Sequence, residues 1–159
     1  MQWKTYAGNL INEPIQDAVE KIILSFKDKG QALRICIGTD SKVKGNTTDM
    51  ATVILFLVIG NGGFMYVNKQ RSFQKMSMKE RMLAEVGASI ETAWLLSEVI
   101  QRYSVDLEIH ADINQDPKYK SNQAFHDAMG YTKGMGFKFL AKPDAFASSV
   151  CADRLCHNS

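Results

Sequence analysis

The chain has 159 residues, of which 45% are apolar, 9% aromatic and 23% charged, and its 19 Lys and Arg against 17 Asp and Glu give a net charge of +2. This length and apolar content suit one globular domain that buries roughly two-thirds of its unfolded surface, and they exclude a disordered chain. The longest apolar runs, near residues 52–60 and 93–96, fall far short of the roughly 20 residues that span a bilayer, and no basic start leads into an apolar core. The expectation is a soluble, cytoplasmic protein with no membrane partner, and the near-neutral sum speaks against a surface coated in basic charge. Cys36, Cys151 and Cys156 form no CxxC pair and no zinc-like spacing, so they read as free thiols.

In chain order, Asn12 is placed to cap a first helix with Pro14 in its opening turn; Ile15, Val19, Ile22, Ile23 and Phe26 then recur at helical spacing, and Gly30 supplies the stop. Residues 33–40 predict a buried strand ending in Gly-Thr-Asp. Residues 52–60 predict a second strand, Asn61-Gly62-Gly63 a hairpin turn, and residues 64–69 its antiparallel partner. The longest helix runs over 77–101, where Ser77 and Glu80 have the spacing of a capping box. Residues 105–111 alternate as a fourth strand and deliver Asp112. A loop around Asp116-Pro117, a helix over 121–129, a glycine-punctuated connection through Gly130, Gly134 and Gly136, a short strand over 137–141 and a helix from 144 or 145 to 155 complete the chain. The order is a helix, then β-β-β-α-β-α-β-α. It predicts an α/β fold, a mixed five-stranded sheet flanked by helices.

The acids carry the most information. Asp40 and Asp112 end the first and fourth strands, where a turn-favouring Asp is the ordinary explanation. They meet if those strands are neighbours, at the carboxyl ends where open α/β sheets collect ligands. On the long helix, about 100° per residue puts Leu83, Val86, Ile90, Ala93 and Trp94 in an apolar stripe. Glu80, Glu91 and Glu98 gather on one flank of it, as on a solvated side, whereas Glu85 stands on the other flank beside Met82, Ser89 and Thr92. Asp144 falls near the start of the last helix, where the dipole favours an acid; Asp153 falls late, where it does not. Convergent carboxylates are what oxygen-seeking Mg²⁺ or Mn²⁺ requires.

Four phrases, Ile37-Gly38-Thr39-Asp40-Ser41, His110-Ala111-Asp112-Ile113-Asn114, the stretch 130–136 and the stretch 142–154, resemble the ribonuclease H superfamily, and more closely a family of small bacterial ribonuclease-H-like proteins. The likeness extends from about Leu33 onward. It implies a ribonuclease-H-like domain over 1–159, with residues 1–30 as an N-terminal helical extension that the minimal fold lacks. It also implies a metal site at the strand ends, with Asp40, Glu85, Asp112 and Asp153 as catalytic ligands of Mg²⁺ or Mn²⁺. Asp144 competes with Asp153 for the fourth place, and Asp153 ranks slightly higher. Lys142 falls where ribonuclease H has a Lys, and Ser41, Lys42 and Asn114 join it as candidate substrate contacts. The implied activity is a metal-dependent nuclease or phosphodiesterase in which activated water hydrolyses RNA, DNA or a hybrid. The alternatives are a weak or inactive nucleic-acid-binding module and a hydrolase of a smaller phosphorylated substrate.

Other features point to no separate chemistry. His110 shares a strand face with Asp112 and reads as a packed imidazole or a partner of that acid; His126 reads as a surface residue, and His157 acts with neither. Lysines and arginines cluster at 42 and 44, at 69, 71, 75, 79 and 81, at 118 and 120, and at 133, 138 and 142; several lie within a few residues of the proposed strand-end site, where they can steer phosphates.

Overall fold

Two long runs whose middle residues are continuously buried build the centre of the sheet: β2 (Leu33–Lys44) and β3 (Thr47–Val58), paired antiparallel from Leu33↔Val58 to Lys44↔Thr47. The computed structural model describes residues 1–157, apart from the side chain of His157, so the reading of that histidine lies outside the described residues. Both strands are longer than expected. A turn at Gly45, with φ +60°, lets the ladder close four residues beyond Asp40. Asp40 is therefore inside β2 rather than at its tip. β4 (Gly63–Ser72) follows through the glycine turn foreseen at 61–63, which also takes in Gly60, expected in the strand; Gly60 and Gly62 have positive φ.

The sheet has six strands in the order β1-β4-β3-β2-β5-β6, with β5 spanning Asp106–Asn114 and β6 spanning Lys138–Lys142. Its five-stranded part matches the expected mixed sheet, since β2, β5 and β6 run parallel while β3 and β4 run antiparallel to their neighbours. The sixth strand, β1 (Trp3–Thr5), is an addition: three residues pair with the edge of β4, and Asn68 Nδ2 donates to the Gln2 carbonyl at 2.8 Å.

Strand alternation divides the core. On one face Ile35, Ile37, Ile54, Phe56 and Ile109 meet α1 (Ile15–Asp28) and α2 (Met78–Tyr103) through Val19, Ile23, Val86, Ile90 and Leu96. On the other, Cys36, Val53, Leu55 and Val67 lie under Ala147 and Ala152. The expected final helix is here a π-helical turn, Ala147–Ala152, that passes into α4 (Asp153–His157). It sits so close to β2 that a Cβ at Gly38 would lie 2.4 Å from the Ser148 amide nitrogen.

Some helix ends differ from expectation. α1 is capped by Pro14, with no side-chain cap bond, and not by Asn12; the Pro14 carbonyl accepts from the Asp17 and Ala18 amides. α2 has the full Ser77–Glu80 capping box, which contributes about 1 kcal/mol. After a 3₁₀ turn at Lys120–Ala124, α3 (Phe125–Gly134) absorbs Gly130 and Gly134, so the expected glycine connection shrinks to residues 135–137. Trp94 leaves the apolar stripe, is 51% exposed and packs edge-on against Phe137.

Candidate active site

β2 and β5 are neighbouring parallel strands, and their pairing runs to Thr39↔Ala111. Asp40 and Asp112 are the next residue on each strand, so they stand side by side where that pairing ends. Their parity puts both on the face covered by the π turn, and Asp153, the first residue of α4, comes from that cover. Glu85 arrives from α2 on the opposite face. The four acids line one cleft of about 530 Å³ together with Ser41, Lys42, Val43, Lys75, Met76, Met78, Arg81 and Met82.

The helix is registered on the strand by polar contacts buried beneath the cleft. Thr39 Oγ1 lies 2.8 Å from Ser89 Oγ and 3.0 Å from Thr52 Oγ1. One turn before Ser89, Glu85 Oε1 accepts from Ser41 Oγ at 2.5 Å, and Arg81 Nη1 donates to the Ser41 carbonyl at 2.7 Å. Burial pushes the Glu85 carboxyl up to about 8; the Ser41 hydrogen bond and the Arg81 charge oppose the rise, while Asp40 and Asp112 add to it. The flank foreseen on the wheel is real. Glu85 is buried with Met82, Ser89 and Thr92, whereas Glu80, Glu91 and Glu98 are exposed.

The remaining candidates lie elsewhere. Lys142 Nζ reaches Asp112 Oδ1 at 2.5 Å from the end of β6, outside the residues that line the cleft. Asn114 is folded into its own loop, where its Oδ1 accepts the Asp116 amide at 3.1 Å and its carbonyl accepts Asn122 Nδ2 at 3.1 Å. Asp144 is exposed, and its amide donates to the Ala141 carbonyl; of the two rival acids, only Asp153 lines the cleft. Sequence reasoning named Arg81 and Lys75 only among the cations that can steer phosphates, and it passed over Met76 and Met78. The available signal for Arg81 was its place four residues before Glu85, on the same side of the helix.

A second cluster lies under the π turn. Cys36 Sγ, a Glu108 oxygen and a His110 ring nitrogen are within 4.8 Å of one another, the one trio of metal-ligand types so tightly set among the described residues. The four cleft acids stand more widely apart. Two of its members, Glu108 and His110, are already hydrogen-bonded, however. The Ala147 amide donates to His110 Nδ1 at 3.2 Å, which leaves the ring proton on Nε2, 3.2 Å from Glu108 Oε2. Lys138 Nζ meets Glu108 Oε1 at 2.6 Å. Burial holds the His110 imidazole below its usual range and raises the Cys36 thiol to about 12. A metal would have to displace the Nε2 proton and the thiol proton together, so the contacts present suit anchorage of the π turn to β5. His126 is exposed on α3, and all three cysteines are free.

A protein-family model described as Ribonuclease H-like matches residues 17–157. Neither the curated proteins nor the solved structures contain a match to the chain. No helix is long and apolar enough to cross a membrane among the described residues.

Proposed function

Because the chain belongs to the Ribonuclease H-like family, we propose that its cleft is the active site of a divalent-metal-dependent nuclease that hydrolyses phosphodiester bonds of RNA, DNA or their hybrid. The observation that carries this reading is that Asp40, Glu85, Asp112 and Asp153, from four separate elements, all line one cleft. The donors are all carboxylate oxygens, which suits Mg²⁺ or Mn²⁺. Burial and two neighbouring acids hold Glu85 towards its protonated form, and a divalent cation bound in the cleft would favour its carboxylate.

A divalent cation held by Asp40, Glu85, Asp112 and Asp153 would supply Lewis acidity at a phosphate oxygen and a water of lowered pKa. The chain's own groups do the rest. Ser41 fixes the Glu85 carboxyl through its 2.5 Å bond, and Arg81 fixes Ser41. Lys42 and Lys75, on the cleft wall, hold phosphate oxygens of the strand. Lys142 sets the rotamer of Asp112. The first thirty residues contribute β1 and α1 to the same sheet and core, so we take the chain as one functional unit. Free thiols fit a reducing, cytoplasmic compartment.

The test is incubation of labelled RNA/DNA hybrid, RNA and single-stranded DNA with the protein in Mn²⁺ and in chelator, beside Asp40→Asn. Cleavage that needs metal and falls at least a hundredfold in the variant is expected. A second reading, a binding module with little activity, is favoured by the Lys142 ammonium at 2.5 Å from Asp112 Oδ1, because it sits on an oxygen a metal would use. Salt-sensitive binding without cleavage in any metal would select it.

A further inference from the structure

The most exposed large apolar side chain among the described residues, Phe73 at 84%, follows directly on the end of β4 and stands two residues before Lys75 on the cleft wall. The same short segment carries Met76 and leads to Met78, 38% exposed, and both line the cleft. The segment is fixed at its base, where Thr48 Oγ1 donates to the Gln74 carbonyl at 2.8 Å. A phenyl ring left almost wholly in water has no packing role. In the cleft that this segment borders through Lys75, Met76 and Met78, Lys42, Lys75 and Arg81 present cations to whatever enters. Apolar faces alternating with phosphate-seeking cations are the chemistry that holds an unpaired nucleic-acid strand: bases stack on the apolar groups and phosphates meet the charges. In a duplex the bases are already stacked on one another and cannot turn out to reach a ring.

We infer that residues 73–78 form a base-stacking rim, with Phe73 as its platform and Met76 and Met78 continuing it into the cleft, so that the substrate is a single-stranded nucleic acid. The inference rests on the nuclease reading, since it assigns the substrate class of that same cleft. The strand runs from Phe73 inward, with Lys75 on the phosphate between the stacked base and the acids. Phe73 selects the strand by its unpaired bases; it takes no part in the reaction at phosphorus.

The experiment measures binding of labelled 12-nucleotide RNA and DNA single strands, and of the RNA/DNA hybrid, by fluorescence anisotropy in chelator, where cleavage cannot intervene. The wild type should prefer the single strands. Phe73→Ala should weaken their binding by about fivefold to a hundredfold, as expected for a lost stack, and weaken the hybrid less than twofold. Phe73→Trp should keep the affinity, and the exposed indole should be quenched when a strand binds. Lys75→Ala should weaken single strands and hybrid alike. Because Phe73 is so exposed, thermal unfolding of Phe73→Ala should match that of the wild type. Unchanged single-strand affinity in Phe73→Ala, or equal losses on strand and hybrid, overturns the inference. If metal-dependent, Asp40-dependent cleavage persists in that case, the nuclease reading stands without it; if no nucleic acid binds and none is cut, both fail.

Discussion

Glu85 is a buried acid, and its carboxyl leaves the ordinary range. Its carboxyl is raised from an ordinary value near 4.5 to about 8, by burial first and then by Asp40 and Asp112 against the opposing Ser41 bond. Between those two values the folded chain retains a proton that the unfolded chain has released. The stability that this group contributes is therefore full below about pH 4.5 and is lost as pH rises through about 8. Metal-free protein should melt progressively lower across that window, by about 2–4 °C for each kcal/mol lost in a chain of this size. Glu85→Gln should flatten the decline, and Mn²⁺ should reverse it in the wild type only. Differential scanning calorimetry from pH 5 to 9, with and without Mn²⁺, measures all three; a flat wild-type profile would contradict the burial argument. The wheel separated Glu85 from the other helix acids because only a short flank lies beside the stripe. It could not show the Ser41–Glu85 bond, which joins residues 44 positions apart.

At the scale of elements, the approach of the π turn to β2 decides where Asp153 sits. Gly38 permits it: a methyl there would lie 2.4 Å from the Ser148 amide nitrogen and 2.6 Å from the Ala147 carbonyl carbon, both backbone atoms that cannot swing away. Gly38→Ala should lift the turn off the sheet, cost about 1–3 kcal/mol and reduce metal affinity by displacing Asp153. Thermal unfolding and Mn²⁺ titration by calorimetry read the two effects, and a Gly38→Ala protein equal to wild type in both would refute the link. Ser77→Ala should cost about 1 kcal/mol by removing one half of the capping box, with metal affinity unchanged. The sequence made the long helix legible because its cap and its period are local. The π turn was not legible, because its extra residue answers contact with β2 from more than a hundred positions away. β1 escaped for the same reason: three residues carry no periodicity, and their pairing with β4 is set by that distant strand.

Over the whole molecule, a net charge of +2 conceals an arrangement. Four acids gather at one cleft, so setting them against a bound divalent charge leaves the rest of the surface distinctly basic. The sequence located Asp40 and Asp112 on strands and Glu85 on the long helix, whereas Asp153, expected late in a helix, opens α4, and the cations could only be sorted by the fold. Lys138 serves Glu108 under the π turn, Lys79 pairs with Asp127 and Arg71 with Asp49, whereas Lys42, Lys75 and Arg81 line the cleft. Counterion release scales with the phosphates contacted, not with the total charge. Three cleft cations therefore predict a modest salt dependence, with log affinity for a single strand falling against log salt at a slope of about −2. Lys75→Ala should make that slope shallower by about 0.7, whereas Lys79→Ala, which removes a cation already paired with Asp127, should leave it unchanged. Anisotropy titrations between 25 and 300 mM NaCl (roughly the range over which such slopes are linear) provide the measurement. A slope several times steeper, or one that responds equally to both variants, would mean that strands lie across the general basic surface and that the cleft is not what holds them.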